Sequence, residues 1–406
     1  MIISKSDRKL QGTISLPGSK SESNRALIIQ ALCEEPFRIS HLAVSEDTHT
    51  LQSLLSAPAQ GLKDCGHAGS TFRFLAALYA AQPGAHVILT GSERMKQRPI
   101  APLAEALQSL GADIRYTGEA GYPPLEIKGA TLHSAEAISI RADISSQFIS
   151  ALLLIAPTLR DGLRLQLENE PVSAPYIDLT LSIMAQFGVS HERNANEIYI
   201  SPQAYRARDL NIEADWSSAS YWYALVALAE EADIFLPGLN GYSLQGDSIL
   251  SELMANFGVT SQFINGGVRL LRSDKQLSRK IFDFKDCPDL AQTVIVCCAA
   301  LRHEATFTGL QTLRIKETDR VLALQQELRK TGAILEEKGL VYKLRFEEMP
   351  SGPIRIETYE DHRMALSFAA LAMVLPQVEI ADPEVIVKSY PGFWNDLEST
   401  GFRISR

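Results

Sequence analysis

The sequence predicts an α/β protein of two domains, built from about six repeated segments. Three observations carry this. A short polar opening runs into an apolar helix at Ser19-Lys20-Ser21, His67-Ala68-Gly69-Ser70-Thr71, Ser145-Ser146-Gln147, Ser217-Ser218-Ala219, Pro288-Asp289-Leu290 and Asp361-His362-Arg363. Between these, amphipathic helices end in Gly111, Gly188, Gly258, Gly332 and Gly401, each suited to a left-handed C-cap and recurring about every 70 residues. Lastly, Ile140-Arg141-Ala142-Asp143-Ile144-Ser145-Ser146 and Ile212-Glu213-Ala214-Asp215-Trp216-Ser217-Ser218 share the isoleucine, Ala-Asp and Ser-Ser, an internal repeat.

The first opening, Leu16-Pro17-Gly18-Ser19-Lys20-Ser21-Glu22-Ser23-Asn24-Arg25, sets the pattern. Proline and glycine stop a strand, serine hydroxyls serve as N-caps, and the free N–H groups of the following helix form a site for an anion. Lys20 and Arg25 add full charges. In isolation the same loop also reads as an ordinary capped helix with two solvated cations. After Leu51 the run Ser56-Ala57-Pro58-Ala59-Gln60-Gly61 replaces a clean helix ending, so this repeat reads as truncated. Asp47 and Asp247 read as helix caps rather than catalysts.

At 406 residues, 46% of them hydrophobic, the chain exceeds one ordinary core, which argues for two domains. A net charge of -9 excludes nucleic acid or an anionic membrane as the main partner, since either requires a broad basic face. Basic residues nonetheless crowd Arg94 to Pro99, Arg314 to Arg320 and Asp361 to Arg363, which suits a small, highly charged anion. Helix N-termini converging on it contribute about half a positive charge each. The five cysteines have no metal-ligand spacing and read as reduced core residues. No metal or organic cofactor is implied. Met1-Ile2-Ile3-Ser4-Lys5 lacks a signal peptide's apolar core, and the apolar run around Val294 to Leu301 reads as a buried helix. A cytoplasmic monomer is expected.

Six motifs in order resemble the 5-enolpyruvylshikimate-3-phosphate synthase family. They are Leu-Pro-Gly-Ser-Lys-Ser with Ser-Asn-Arg (16–25), Arg-Met-Lys-Gln-Arg-Pro-Ile (94–100), Ser-Ser-Gln-Phe (145–148), Ser-Ala-Pro-Tyr-Ile-Asp (173–178), Arg-Ile-Lys-Glu-Thr-Asp-Arg (314–320) and Asp-His-Arg-Met-Ala (361–365). The resemblance implies a two-domain inverse α/β barrel of six βαβαββ-type repeats, three per domain with one truncated. It places residues 18–213 in an N-terminal domain on the shikimate 3-phosphate side. Residues 1–17 and 214–406 form a C-terminal domain on the phosphoenolpyruvate and proton-transfer side. The active site is expected in the cleft, with open and closed forms, because cleft cations repel until an anion bridges them.

The implied reaction transfers the enolpyruvyl group of phosphoenolpyruvate to the 5-hydroxyl of shikimate 3-phosphate through a tetrahedral intermediate that loses phosphate. It is a step of the shikimate pathway to chorismate and the aromatic amino acids. By the same resemblance Ser21 and Arg25 take the shikimate carboxylate, Ser145, Ser146, Ser173 and Lys316 surround its phosphate, and Tyr176 packs near its ring. Gln147 touches both substrates, and Thr312 lies beside the shikimate hydroxyls. Lys20, Gly69, Arg98, Arg320, Arg363 and Lys388 hold phosphoenolpyruvate, arginine being favoured for its planar fork.

Proton traffic requires separate groups. Asp289 is the candidate acceptor from the hydroxyl, although as a residue at a helix mouth it also reads as a plain N-cap. Glu317, Lys388 and Lys20 are the candidates for the proton at carbon, and Glu317 between Lys316 and Arg320 also reads as an ion-pair partner. His362, at a helix start, is ranked as a positioning residue. The chain departs from the family pattern at His67, Ser70 and Phe74, at Thr312 where asparagine is common, and in the shortened stretch from Asp47 to His67. These bear on affinity for phosphoenolpyruvate and for glyphosate, the inhibitor that resembles it.

Two other readings compete. Enolpyruvyl transfer to UDP-N-acetylglucosamine is disfavoured because Gly91 to Leu103 contains no cysteine ahead of Arg98-Pro99. A non-catalytic anion-binding protein on the same scaffold has no need of Asp289, Glu317 and Lys388 together.

Overall fold

The computed structural model describes residues 1–133, 136–274, 277–348 and 353–406. Six helices form the centres of the repeats: α1 (Lys20–Leu32), α2 (Gly69–Ala80), α3 (Ser146–Ile155), α4 (Trp216–Leu228), α5 (Ala291–Ala300) and α6 (His362–Ala369). Helices apolar on nearly every side must be enclosed, and α2 to α6 are buried along almost their whole lengths. Four of the six are closed at the N-terminus by the side chain the pattern supplies. Ser19 accepts from the Glu22 amide, Ser145 from Gln147, Asp215 from Ser218 and Asp361 from Arg363. The other two are not: Ala68 leaves the first amides of α2 without a side-chain cap, and α5 is entered through a 3-10 turn, Pro288–Leu290.

Each full repeat surrounds such a helix with four strands. In the second, Gln60–Asp64 runs parallel to His86–Thr90 with α2 as the crossover, and the hairpin of Asp113–Tyr116 and Leu125–Lys128 extends the sheet antiparallel. The register Gln60↔His86 to Asp64↔Thr90 turns Val87 and Leu89 to the core and His86 and Ile88 outward. The same order recurs around α3, α4, α5 and α6, giving five four-stranded sheets among the described residues. Around α1, among the described residues, only Ile39–Ser40 and Leu210–Asn211 pair, as a two-stranded sheet. This is the truncated repeat, and its helix Glu46–Ser56 ends in extended backbone at Ala57 rather than in a glycine. Gly111, Gly188, Gly258, Gly332 and Gly401 all have φ between 70° and 95°, the left-handed region read for them from the sequence.

The chain divides into two compact units, a central one of Ser19–Ile212 and a split one of Met1–Gly18 with Glu213–Arg406. The boundaries lie one residue from those at 17/18 and 213/214. In the central unit α1, α2 and α3 pack on one another, and in the split unit α4, α5 and α6 do so. Each unit has its own apolar core, one including Phe72, Phe148 and Leu152, the other Trp216, Trp222 and Phe393. Burial of each such side chain contributes about 1.5–3 kcal/mol. Gly18 bridges Ala214, and the Asp215 amide donates to the Pro17 carbonyl at 2.9 Å, tying the two passages of chain together within the split unit. Among the described residues no helix is long and apolar enough to cross a membrane, and the five cysteines are free.

Two readings of caps are corrected. The helix Glu46–Ser56 is capped by Ser45, and Asp47 is buried in its first turn. Asp247 lies within the 3-10 turn Gly246–Ile249 behind Gln245. Both sequences place a carboxylate at a helix opening, but its side chain turns to the neighbouring core helix instead.

Candidate active site

The split unit gathers its candidate residues around one aspartate. Asp289, in the 3-10 turn before α5, faces Arg363 Nη2 at 2.9 Å, Arg320 Nη1 at 3.2 Å and Lys316 Nζ at 3.9 Å. It is the hub of an ion cluster rather than an N-cap. Burial alone raises its carboxyl, but Arg363, then Lys316 and Arg320, outweigh that and hold it well below the usual carboxylate range. Three elements deliver these cations: the turn after Gln311–Ile315, the first residue of the helix Arg320–Arg329, and the first turn of α6.

Arg320 is 1% exposed and spends its fork on three carboxylates. Its Nε donates to Asp361 at 2.7 Å, Nη2 to Glu317 at 2.8 Å and Nη1 to Asp289. Burial acts to lower its basicity, and Asp361 and Glu317 more than reverse that, so it stays charged. Glu317 also pairs with Lys388 Nζ at 3.3 Å. Arg363 donates to the Asp289 carbonyl at 3.2 Å and to the Tyr221 hydroxyl at 3.3 Å. Burial pushes that hydroxyl up to about 12, so it remains neutral. Asp289, Lys316, Glu317, Arg320, Arg363 and Lys388 therefore form one connected group, with Thr312 in the preceding 3-10 turn.

In the central unit the residues fall into two groups. At the head of α1, Lys20 pairs with Asp47 at 3.2 Å. Thr71 of α2 donates to the Asp47 carbonyl, and Asn24 of α1 donates to Ser70. At the uncapped end of α2 the Arg98 guanidinium rests on Gly69, so closely that a Cβ there would meet Nη1 at 2.5 Å. A cation beside a helix N-terminus that no side chain caps adds to the positive potential of that helix end.

The second group centres on Arg25, which is buried. Its donors go to Thr180 Oγ1 at 2.7 Å, Ser150 Oγ at 3.0 Å, the Tyr176 carbonyl at 3.1 Å and the Ser21 carbonyl at 2.8 Å. The guanidinium also lies over the Phe74 ring, 5.5 Å from its centroid. Burial brings it down to about 10, still charged at neutral pH. All four of these acceptors are neutral, so among the described residues the cation is held without a carboxylate hydrogen-bonded to it. Ser173 has left-handed backbone at the head of the helix Ala174–Gln186, and its side chain does not cap that helix. Ser145 caps α3, whose first turn carries Ser146 and Gln147.

Sequence reasoning missed four partners: Asp361, which grips Arg320, Tyr221, which receives Arg363, and Ser150 with Thr180, which seat Arg25. Asp361 sits in a motif already singled out, and its place ahead of His362-Arg363 was the available signal. The others lie on core helices among apolar neighbours and carry no local mark.

The family model for EPSP synthase (3-phosphoshikimate 1-carboxyvinyltransferase) matches residues 4–57 and 51–397. The 3-phosphoshikimate 1-carboxyvinyltransferase of Bacteroides fragilis is 46% identical over 400 residues, covering 98% of this chain and 97% of its own. That of Haemophilus ducreyi is 34% identical over 429 residues, covering 96% of each. Among solved structures, EPSP synthase from Acinetobacter baumannii has a TM-score of 0.76 at 22% identity over 100% of this chain and 99% of its own. The enolpyruvyl transferase NikO from Streptomyces tendae has a TM-score of 0.72 at 15% identity over 99% of this chain and 98% of its own. These two share the fold. With a family model and relatives that match it nearly from end to end, the chain belongs to the EPSP synthase family.

Proposed function

We propose that this protein transfers the enolpyruvyl group of phosphoenolpyruvate to the 5-hydroxyl of shikimate 3-phosphate, giving 5-enolpyruvylshikimate 3-phosphate and phosphate. The observation that carries it is the split-unit cluster, in which Lys316, Arg320, Arg363 and Lys388 interleave with Asp289 and Glu317. Such a group both seats a polyanion and moves protons. Ionisable groups of both signs gathered in one place, with Asp289 held far below the usual carboxylate range, are the pattern expected of a functional site.

Arg363, Arg320 and Lys388, with Lys20, Gly69 and Arg98 of the central unit, are assigned to phosphoenolpyruvate. Shikimate 3-phosphate is assigned to Ser21 and Arg25 for its carboxylate, to Ser145, Ser146, Ser173 and Lys316 for its phosphate, and to Gln147, Tyr176 and Thr312 for its ring and hydroxyls. The reaction brings both substrates into contact, so the reading uses residues of both units.

Asp289 takes the proton of the attacking hydroxyl. Held ionised by three cations, it is a weak base in the empty protein. Substrate anions on Lys316 and Arg363 offset those charges and raise its affinity for a proton when the hydroxyl arrives. As the C–O bond forms, the methylene carbon gains a proton from the Glu317–Lys388 pair. Loss of a proton from the resulting methyl group, with departure of phosphate, restores the double bond. Cations fixed beforehand around the phosphate stabilise the charge that develops on it.

The test mixes the protein with both substrates and measures phosphate together with the mass of the product. Phosphate release with formation of the enolpyruvyl ether is expected. A product from UDP-N-acetylglucosamine but not from shikimate 3-phosphate would sink the assignment, as would the absence of phosphate above background.

A further inference from the structure

Just before α6 the chain adopts backbone that only glycine takes up freely. Tyr359 and Glu360 have φ of 54° and 56°, and among the described residues no other two adjacent non-glycine residues are left-handed. They are the central residues of a turn that the Asp361 amide closes on the Thr358 carbonyl at 2.9 Å, an arrangement for which Asn-Gly is the usual sequence. Such backbone persists only where its surroundings hold it.

The holding group is Glu327, 1% exposed on the helix Arg320–Arg329. Its Oε1 accepts from the Tyr359 hydroxyl at 2.6 Å, with Gln326 Oε1 2.7 Å from the same hydroxyl, and its Oε2 accepts from the Glu357 amide at 3.0 Å. Oε2 also pairs with Lys330 at 2.6 Å. Arg320 lies seven residues earlier on the same face of that helix, and its Nε donates to Asp361 at 2.7 Å. One helix thus grips the segment at both ends, at 357 and 359 through Glu327 and at 361 through Arg320. Asp361 in turn accepts from the Arg363 amide at 2.9 Å, and the Arg363 side chain holds Asp289 at 2.9 Å.

We propose that Glu327 is a positioning residue for enolpyruvyl transfer: by fixing the turn from Thr358 to Asp361 it sets where Asp361 meets Arg320 and where α6 delivers Arg363. It acts through Asp361 rather than on a substrate. The inference rests on the reading of the Asp289 cluster as the site of that reaction.

Glu327→Met keeps the length of the side chain and removes both acceptors. Hydrogen exchange of the substrate-free full chain, read by mass spectrometry, should show protection across residues 357–363 reduced about tenfold or more, while α4 and α5 keep theirs. The kcat/KM for phosphoenolpyruvate should fall about tenfold to a hundredfold, the effect of small misplacement, with the dissociation constant of shikimate 3-phosphate within about threefold. Glu327→Gln can still accept from the Glu357 amide and donate to the Tyr359 hydroxyl, so it should behave as the wild type although its pair with Lys330 is lost. Glu360 is exposed, and Glu360→Gly, which takes up the turn without strain, should restore most of what Glu327→Met loses.

A Glu327→Met variant with wild-type protection overturns the proposal, as does one that Glu360→Gly does not rescue or whose losses Glu327→Gln shares in full. Should Glu327→Met not fold, Tyr359→Phe takes its place, and unchanged protection there overturns it equally. Exchange needs no turnover, so a protein that transfers no enolpyruvyl group loses the functional reading while the hold of Glu327 on the turn is still measured.

Discussion

The guanidinium of Arg98 lies on the α-carbon of Gly69, where an added methyl would stand 2.5 Å from Nη1, 2.9 Å from Nη2 and 3.0 Å from Cζ. Glycine here provides room rather than backbone freedom, since α2 begins at this residue in ordinary helical conformation. Gly69→Ala should therefore displace Arg98 from the helix end. Losing one charge-assisted hydrogen bond, about 1.5–3 kcal/mol, should raise the KM for phosphoenolpyruvate about tenfold to a hundredfold. The KM for shikimate 3-phosphate should move far less. Steady-state kinetics in both substrates checks this, and unchanged constants would remove Gly69 and Arg98 from the site.

Asp289→Asn keeps the shape at the hub and removes the base. Turnover should fall about 10²- to 10⁴-fold, the usual contribution of a positioned general base. Dissociation constants for both substrates should stay within a few-fold, as for a group acting mainly in the transition state. Calorimetric binding beside single-turnover rates separates the two, and a parallel loss of affinity and rate would make Asp289 a binding residue only.

Arg25 offers a different test because its four acceptors are hydroxyls and carbonyls on three elements. A lysine places one ammonium where a planar fork is needed. Arg25→Lys should lower stability by about 1–3 kcal/mol, the cost of leaving buried hydrogen-bonding groups unsatisfied. It should also weaken shikimate 3-phosphate more than phosphoenolpyruvate. Denaturant unfolding and substrate titrations report the two effects, and a variant of wild-type stability would show that these bonds contribute little.

How much of this was legible beforehand depended on the range of the signal. The repeats were readable because each helix opening and each glycine ending is written within a few adjacent residues. The missing glycine near Ser56 marked one repeat as truncated, but its two-stranded sheet, which pairs Ile39–Ser40 with Leu210–Asn211 some 170 residues on, was not readable. Asp289 and Glu317 carried their alternative readings within the same short motifs, since a carboxylate at a helix mouth looks alike whether it caps amides or meets arginines. Distance along the chain decided the rest. Arg320 finds Asp361 across 41 residues and Arg25 finds Thr180 across 155, and Thr180 stands in an apolar helix where nothing distinguishes it from core. Asp47 illustrates the converse, since Ser45-Glu46-Asp47 is good capping chemistry, and only the packing of α1 beside it turns the aspartate to Lys20.

Asp247 also predicts how stability depends on pH. Its titration is raised from 3.8 to about 7 in the folded chain, so between these values the native state binds a proton that the unfolded state releases. The contribution is greatest below pH 4 and is lost as pH rises towards 7, amounting at most to roughly 4 kcal/mol for a shift of this size. Asp289 is shifted the opposite way, and its contribution is lost only as pH falls below about 4, so it is constant across the upper window. Unfolding midpoints measured from pH 5 to 8 should thus decline in the wild type relative to Asp247→Asn, whose amide does not titrate. The gap between the two should close or reverse in favour of the variant at pH 8. Parallel midpoints across that range would mean that Asp247 is already ionised at pH 5.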